Sequence, residues 1–361
     1  MNQTIKRLNK LQIPTWNALK INDTSVVTDL DGMPAYAGNP MQKEYSGIQI
    51  SHGPVLKAAE NPPVILGDIR RYAADLNNYR LHITIPAGFA AKEPIILDFH
   101  LDSGSALLSE ELFISAEAGS DATVVLRYSS DGTANCFHCG YTTLHVKADA
   151  NIRLIKAQRL AENHTGIDAT EVNVDTGAEV HVVLIEAGTQ KSVSGCSIQL
   201  TGKGASADLD GAYAVNRKRE LDFNYRIEYK EKNTQGNINV RGVLLDKARK
   251  AAKSTLDFLP GAAGAKGREE ESVLVLSSDA VNLSAPLLLC GEDDVEGQHA
   301  TTTGKIDENK LFYLMSRGIG KNEARKLIAL ASFNSVLEKI EPESLQEEIS
   351  SFIKEVLGDA D

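Results

Sequence analysis

The stretch Ala178-Glu-Val-His-Val-Val-Leu-Ile185 decides the fold class, because its side chains alternate between apolar and polar from Ala178 to Val182. Alternation with a period of two is the pattern of a β-strand that has one buried face. Comparable short runs, bounded by Gly, Asp, Asn or Ser, recur at Ala122–Tyr128, Thr143–Lys147, Ile152–Ala157, Ser197–Leu200, Leu221–Ile227, Asn237–Arg241 and Glu271–Leu276. The middle of the chain is therefore predicted to be mainly β.

The connections between these strands limit the possible architectures. Helical patterns are missing between most of them, which disfavours a βαβ sheet and leaves a sandwich, a barrel or a β-helix. Small or polar corners such as Asp175-Thr-Gly177 and Thr201-Gly-Lys-Gly204 favour stacked coils. Of the three architectures, the corners favour a β-helix over residues 76–305, although the repeat is too imperfect for periodicity alone to establish it.

The segments on either side of this core are predicted to contain helices. Residues 1–75 mix helical and irregular signals, with an opening helix that carries Leu8, Leu11 and Ile13 and ends at Pro14. A second short helix is predicted within Ile65–Tyr72.

Residues 306–361 form the predicted C-terminal helical segment. Asp307 can cap a first helix that Gly318 ends, and Asn322 can cap a second that extends from Ala324 to Ile340. Pro342 suits the first position of a third helix, which stops at Gly358 and has an apolar face formed by Leu345, Ile349, Phe352, Ile353 and Val356. An apolar stripe of this kind is usually buried within its own protein, but on a terminal helical segment it also suggests a docking surface for a partner.

Composition excludes several classes of function. Of the 361 residues, 42% are hydrophobic and 24% charged, and 38 basic against 49 acidic side chains give a net charge of −11. This acidic balance argues against nucleic acid as the main partner. The first residues lead into no apolar signal-peptide core, and no uncharged apolar run has transmembrane length. We expect a cytosolic protein without a membrane partner.

The end of the β-rich region contains the strongest candidate site. Cys290 and His299 offer a thiolate and an imidazole, donors that suit iron, zinc or an iron–sulfur centre. The turn-rich residues between them could fold the two side chains together, with Glu292 or Glu296 as a nearby carboxylate. The alternative reading packs Cys290 after three leucines and satisfies His299 with backbone groups.

Two other motifs have weaker chemical readings. Cys136-Phe-His138-Cys139 has the spacing of a zinc or redox pair, but a second pair and a βαβ context are both missing. We therefore interpret these as turn cysteines. The run Gly261-Ala-Ala-Gly264-Ala-Lys-Gly267 lacks the Gly-Lys-Ser/Thr and the following helix of a phosphate loop, so it is predicted to be a turn. No hydrolase signature is present.

Residues 236–335 resemble the SufB/SufD family of iron–sulfur cluster assembly scaffolds. The pieces that carry the resemblance are Gly242–Leu245, Ser254–Phe258, Leu274–Ser277 with Pro286, Val295–Thr301, Leu311–Ile319 and Glu323–Arg325, with Ile13–Asn17 near the start. The resemblance implies a right-handed parallel β-helix with helical termini. It also implies a transient iron–sulfur cluster at a subunit interface, built with sulfur from a cysteine desulfurase.

The same resemblance implies partners. A SufC ATPase would dock on the C-terminal helices, and a SufB-type subunit or a second copy of this chain would complete the interface. Flavin association, suggested for some complexes of this family, has no readable motif here.

Within the family pattern, His299 matches the histidine that precedes the Ala-Thr segment. The cysteine and the glutamate typical of SufB-type chains correspond to Ala280 and Ala300, which favours a SufD-like scaffold without turnover of its own. A cysteine that some SufD chains have corresponds to Gly297, so Cys290 is the thiol left near His299. The remaining cluster ligands would come from the partner chain.

The sequence leaves two rival functions open. A β-helix enzyme acting on carbohydrate would have an export signal and a groove of paired carboxylates, and the sequence indicates neither. A purely structural interaction subunit would make no contact with metal.

Overall fold

A computed structural model of the chain describes residues 3–15, 17–53, 63, 65–341 and 343–358. Its body is a parallel β-helix of about eight coils, each contributing one strand to each of two facing sheets. The predicted fold class is confirmed. Trp16, within the segment Ile13–Asn17, and Pro342, the predicted first position of the third C-terminal helix, lie outside the described residues.

The first sheet, sheet 1, has nine strands. They are β3 (Gln49–Ser51), β4 (Tyr79–Ile85), β6 (Leu107–Ala116), β8 (Phe137–Val146), β10 (Thr165–Val174), β12 (Lys191–Leu200), β14 (Glu220–Tyr229), β16 (Arg249–Phe258) and β18 (Val281–Cys290). All neighbours pair in parallel except β3, which pairs antiparallel with β4.

The second sheet, sheet 2, has eight strands, all parallel. They are β5 (Ile95–Leu101), β7 (Asp121–Ser130), β9 (Asn151–Arg159), β11 (Glu179–Glu186), β13 (Ser206–Val215), β15 (Gln235–Leu244), β17 (Ala265–Val275) and β19 (Val295–Gly304). The predicted strand segments all fall within strands of the two sheets or overlap them.

The corners that lead from sheet 1 to sheet 2 require a left-handed backbone. Gly119, Asp149, Gly177, Gly204 and Asn233 occupy equivalent corner positions with φ between 57° and 70°. Glycine adopts this conformation without a steric penalty, and Asp and Asn tolerate it better than most residues. The predicted corners that end at Gly177 and Gly204 are therefore confirmed. The turn predicted from Gly261 to Gly267 is confirmed as far as Gly264, whereas Ala265 and the two residues after it begin β17.

The inward faces of the two sheets form the main core. Equivalent positions of successive coils stack in ladders, and one ladder of sheet 2 contains the buried residues Ile95, Val124, Leu154, Val182, Leu209 and Ile238. Stacked β-branched and leucine side chains fill such an interior with few rotamers and little unpaired polar surface.

The start of the chain differs from the prediction. Residues Gln3–Leu8 form a strand, β1, which pairs antiparallel with β2 (Thr24–Thr28), so the predicted opening helix is wrong. Pairing with β2 and burial of Ile5 and Leu8 against the outer face of sheet 1 outweigh the local helical spacing. The second helix is confirmed as α1 (Gly67–Leu76), which packs on the same face.

Residues 33–51 cover the first coil. Tyr36 packs against Phe99 with ring centroids 5.8 Å apart, and the Asp98 amide donates to the Pro40 carbonyl over 2.8 Å. The Tyr45 hydroxyl accepts from the Ile96 amide at 2.8 Å. These contacts close the end of the β-helix at which the chain enters.

The C-terminal helices are α2 (Glu308–Ser316), α3 (Lys321–Ala331), α4 (Asn334–Leu337) and α5 (Glu343–Gly358). Asp307 caps α2 as predicted, accepting from the Asn309 amide over 2.9 Å, and Gly318 follows the helix with φ of 88°. Gly320 rather than Asn322 is the N-cap of α3, because the extended backbone at Gly320 starts the helix earlier.

The long second helix that was predicted is divided between α3 and α4. The backbone turns at Phe333, whose buried ring anchors the break against the outer face of sheet 2. The apolar face of α5 is buried there too, against residues of sheet 2 that include Val183, Ile185, Ala212 and Val243. No helix among the described residues has the length and hydropathy needed to span a bilayer.

Candidate functional site

The last coil, formed by β18 and β19, is the most exposed part of the β-helix. β18 pairs with β16 and β19 with β17, and within the described residues neither has a strand on its other edge. The side chains of β18 are mostly half-buried, and those of β19 are mostly exposed. Unpaired strand edges at an uncovered end are available to another chain.

His299 lies on the inward side of this last coil. It continues the ladder of Leu209 and Ile238, which passes through Glu269 of β17 before it reaches His299 in β19. Stacked residues of parallel strands point to the same side of their sheet, so His299 faces the axis of the β-helix. The imidazole is exposed because no further coil of the described part of the chain covers it.

Contacts between β18 and β19 define what lies across from His299. The Asn282 amide donates to the Thr303 hydroxyl over 2.9 Å, and Gly297 lies against Leu288. Counting along both strands from these contacts, the residue across from His299 is Pro286.

Cys290 also lies on the inward side, because it stacks on the buried Phe258. It lies across from Val295, however, four strand positions from the level of His299. At roughly 3.3 Å per residue, this offset is about 13 Å. The turn therefore does not bring the two predicted ligands side by side.

The two candidate carboxylates point elsewhere. Glu292 lies in the corner after β18 and accepts from the Gly261 and Asp293 amides, both over 3.0 Å, and these bonds lower its pKa. Glu296 stacks on Lys266, forms an ion pair with it over 2.8 Å and is exposed on the outer face of sheet 2. Neither shares the inward face with His299.

A buried acid lies one coil below His299, and the sequence analysis missed it. Glu269 is 2% exposed, one of its carboxylate oxygens has no hydrogen-bond partner in the described structure, and burial raises its pKa to about 7. A hydrogen bond from Ser254 opposes this rise. The signal in the sequence was the run Glu269-Glu-Glu271. Because side chains of a strand alternate between its two faces, at least one of these three glutamates must face the interior.

Lys250 and Glu271 form a buried ion pair beside Glu269. The Lys250 ammonium donates to Glu271 over 2.5 Å and to the Ser284 hydroxyl over 2.9 Å, and Ser284 donates to the second oxygen of Glu271 over 2.6 Å. Ser284 belongs to β18, so this cluster ties the last coil to the coils beneath it. Burial lowers the pKa of Lys250.

The remaining three cysteines are not poised for metal or redox chemistry. Cys136, Cys139 and Cys196 are buried, and burial raises the pKa of all three thiols, that of Cys136 to about 11. Cys139 lies within β8, so the interpretation as a turn cysteine is wrong for it. Cys290 is the exposed free cysteine.

A protein-family model described as "SUF system FeS cluster assembly, SufBD core domain" matches residues 99–332, well over half of the chain. The chain belongs to the SufBD family. The match begins within the first coils, far upstream of the segment whose sequence carried the resemblance.

Curated relatives of this SufBD chain include two proteins named SufD. It is 25% identical over 296 residues to the iron–sulfur cluster assembly protein SufD of Bacillus subtilis, covering 78% of this chain and 65% of that protein. It is 23% identical over 277 residues to SufD of Escherichia coli, and the match covers 74% of this chain and 64% of that protein. An iron–sulfur cluster assembly SufBD family protein of Mycobacterium leprae is 24% identical over 251 residues, and the match covers 68% of this chain and 28% of that protein. The SufD-like assignment is confirmed, and the chain spans less than two thirds of each of these relatives.

Proposed function

We propose that this chain is a non-catalytic scaffold subunit of a Suf-type iron–sulfur cluster assembly complex in the cytosol. The observation that carries the proposal is the uncovered last coil, which presents His299 on its inward side next to two unpaired strand edges. The other end and both outer faces of the β-helix are covered by the chain's own segments over much of their surface.

The second subunit, of SufB type or a second copy, would pair with this end. Unpaired N–H and C=O groups of β18 and β19 favour main-chain hydrogen bonding to strands of another chain. Half-buried apolar side chains of β18, including Leu287 and Leu288, would become buried by the contact.

The transient cluster would form at this interface with His299 as one ligand. A neutral imidazole binds iron through one ring nitrogen, and one histidine is insufficient for a cluster, so most ligands would come from the partner. Cys290 is the second candidate ligand, and its offset from His299 suits a separate contact better than the same iron. Glu292 and Glu296 rank below both because backbone amides and Lys266 already engage them.

A SufC-type ATPase would dock on α2 and α3. Phe312 is 73% exposed, and Tyr313, Met315 and Leu327 are also large exposed apolar or aromatic side chains of these two helices. Clusters of exposed aromatic side chains mark protein–protein contacts, where they supply much of the binding energy. Sulfur would reach the complex from a cysteine desulfurase.

Cluster reconstitution tests the role of His299. The chain is combined with its ATPase and a SufB-type subunit, supplied with iron and sulfide, and the visible absorption of the cluster is compared between wild type and His299→Ala. His100→Ala is the matched control, because His100 is an exposed histidine of β5 in the first coil. We expect lower cluster yield for His299→Ala alone. An unchanged yield would favour an interaction subunit that makes no contact with metal.

A further inference from the structure

A second group of chemically active side chains lies inside the β-helix, near its first coils. Glu110 of β6, Gly140 of β8 and Asp168 of β10 occupy one ladder of sheet 1, and His138 precedes Gly140 by two residues. All lie on the inward side, where Glu110 and His138 are fully buried. One ligand atom from each of Glu110, His138 and Asp168 lies within 4.8 Å of the others.

Direct contacts hold these side chains in place. His138 Nε2 lies 2.9 and 3.0 Å from the two carboxylate oxygens of Glu110, and the Tyr128 hydroxyl donates to Glu110 over 2.9 Å. The Lys156 ammonium donates to Asp168 over 2.7 Å. Cis ligands bound at 2.1 Å in an octahedral site are about 3 Å apart, so the spacing between His138 and Glu110 already fits joint coordination.

Gly140 makes the convergence possible. A Cβ atom at this position would lie 2.8 Å from His138 Nε2, 2.6 Å from Asp168 Oδ1 and closer still to Glu110 Oε1. The donor atoms of all three residues therefore crowd against the backbone of Gly140, and they can lie together only because this residue has no Cβ. Any other side chain at this position would push the three donors apart.

The charges nearby are compatible with one divalent cation. Glu186 of β11 is a third carboxyl in this part of the interior, it is buried, and it interacts electrostatically with Asp168 and Lys156. When the carboxyls of Glu110, Asp168 and Glu186 are ionised, their three negative charges balance the Lys156 ammonium and one divalent cation. A buried charged cluster needs such balance to be stable.

We propose that Glu110, His138 and Asp168 bind one divalent first-row transition-metal cation inside the β-helix. The mixed imidazole and carboxylate donor set selects Zn²⁺, Mn²⁺ or Fe²⁺ over Ca²⁺ and Mg²⁺. Lys156 keeps its contact with Asp168 beside the cation. This site is separate from the last coil, so it stands or falls independently of the proposed scaffold function.

Metal content tests the proposal, with Zn²⁺ as the probe. The untagged chain is produced in cells supplied with zinc, because a buried site fills most readily during folding, and is dialysed against a weak chelator. His299→Ala and Cys290→Ala are introduced throughout to remove donors of the last coil. Glu110→Gln removes one ligand, and Gly140→Ala blocks the site without changing a ligand. Gly166→Ala is the control, because a Cβ at this glycine of β10 would make only ordinary contacts.

We expect one zinc per chain in the background protein and in Gly166→Ala. Glu110→Gln and Gly140→Ala should retain roughly a tenth or less, since losing even an outer partner of a ligand weakens metal binding about 10- to 100-fold. Equal zinc in all variants, or none in the background protein, would overturn the proposal. If the two variants fail to fold by circular dichroism, anomalous diffraction from the zinc-grown background protein decides: a peak among the three donors supports the site, and a peak elsewhere or none refutes it.

Discussion

His299 lies one coil above Glu269, at the end of a ladder whose members before Glu269 are aliphatic. The only exposed imidazole of the described last coil is thus stacked on a buried carboxyl whose pKa is raised by burial to about 7. The side chains of the ladder change from aliphatic to titratable in the last two coils, next to the uncovered end of the β-helix.

Replacing Glu269 by Gln should change how stability depends on pH. The pKa of Glu269 is raised from 4.5 to about 7, so the folded chain binds more protons than the unfolded chain in that window. Wild-type stability should therefore fall as pH rises from about 4.5 to 7, and Glu269→Gln should remove roughly 1–3 kcal/mol of this fall. Urea unfolding of both proteins at pH 5 and pH 8 measures the difference. Parallel pH profiles would show that Glu269 is not the source.

Replacing Lys250 by Met should destabilise the fold. The substitution leaves Glu271 buried without its cation, and breaking a buried ion pair from one side costs about 3–5 kcal/mol. The double variant Lys250→Met/Glu271→Gln should recover much of the loss, because neither charge then remains. Urea unfolding of the two variants checks this, and equal destabilisation of both would contradict the role of the pair.

Replacing Phe312 by Ser should weaken binding of the ATPase while leaving the fold intact. An exposed aromatic side chain contributes little to folding, so the free energy of unfolding should change by no more than about 0.5 kcal/mol. Affinity for a SufC-type ATPase, measured by calorimetry, should fall about tenfold or more. Glu308→Gln, an exposed change on the same helix, is the control. Unaltered affinity for Phe312→Ser would move the docking surface away from α2.

Replacing Asn9 by Ala should loosen the N-terminal strand pair. The buried amide of Asn9 donates to the Ser194 carbonyl over 3.0 Å and to the Asp222 carboxylate over 2.9 Å, joining β1 to sheet 1. Losing these bonds leaves each buried acceptor with one hydrogen-bond donor fewer, which should lower the free energy of unfolding by about 1–3 kcal/mol. Hydrogen exchange of β1 and β2 should accelerate relative to β12, and uniform exchange would contradict a local anchor.

Local patterns explain what the sequence could predict. Alternation revealed the strands, and Gly177 and Gly204 revealed corners, because a strand face and a left-handed turn are properties of a few neighbouring residues. The cap at Asp307 was predictable for the same reason. The opening strand was not, since β1 owes its conformation to β2 and to the outer face of sheet 1.

Contacts between coils were beyond the sequence analysis. The register of stacked strands depends on the length of every corner, so the pairing of Glu269 with His299 could not be read from their positions. Cys290 and His299 are close in sequence, yet the turn between them leaves them about 13 Å apart along the strands. His138 was read with its neighbouring cysteines, whereas its partners Glu110 and Asp168 come from the coils on either side.

Residues 33–51 seal the entry end of the β-helix, and the exit end has no such cover among the described residues. Such a molecule can add another chain at only one of its two ends. If two chains join through their exit ends, the covered entry ends lie at the two outer ends of the dimer. Association then stops at a dimer. Unpaired strand edges at both ends would instead allow chains to add without limit and form a fibre.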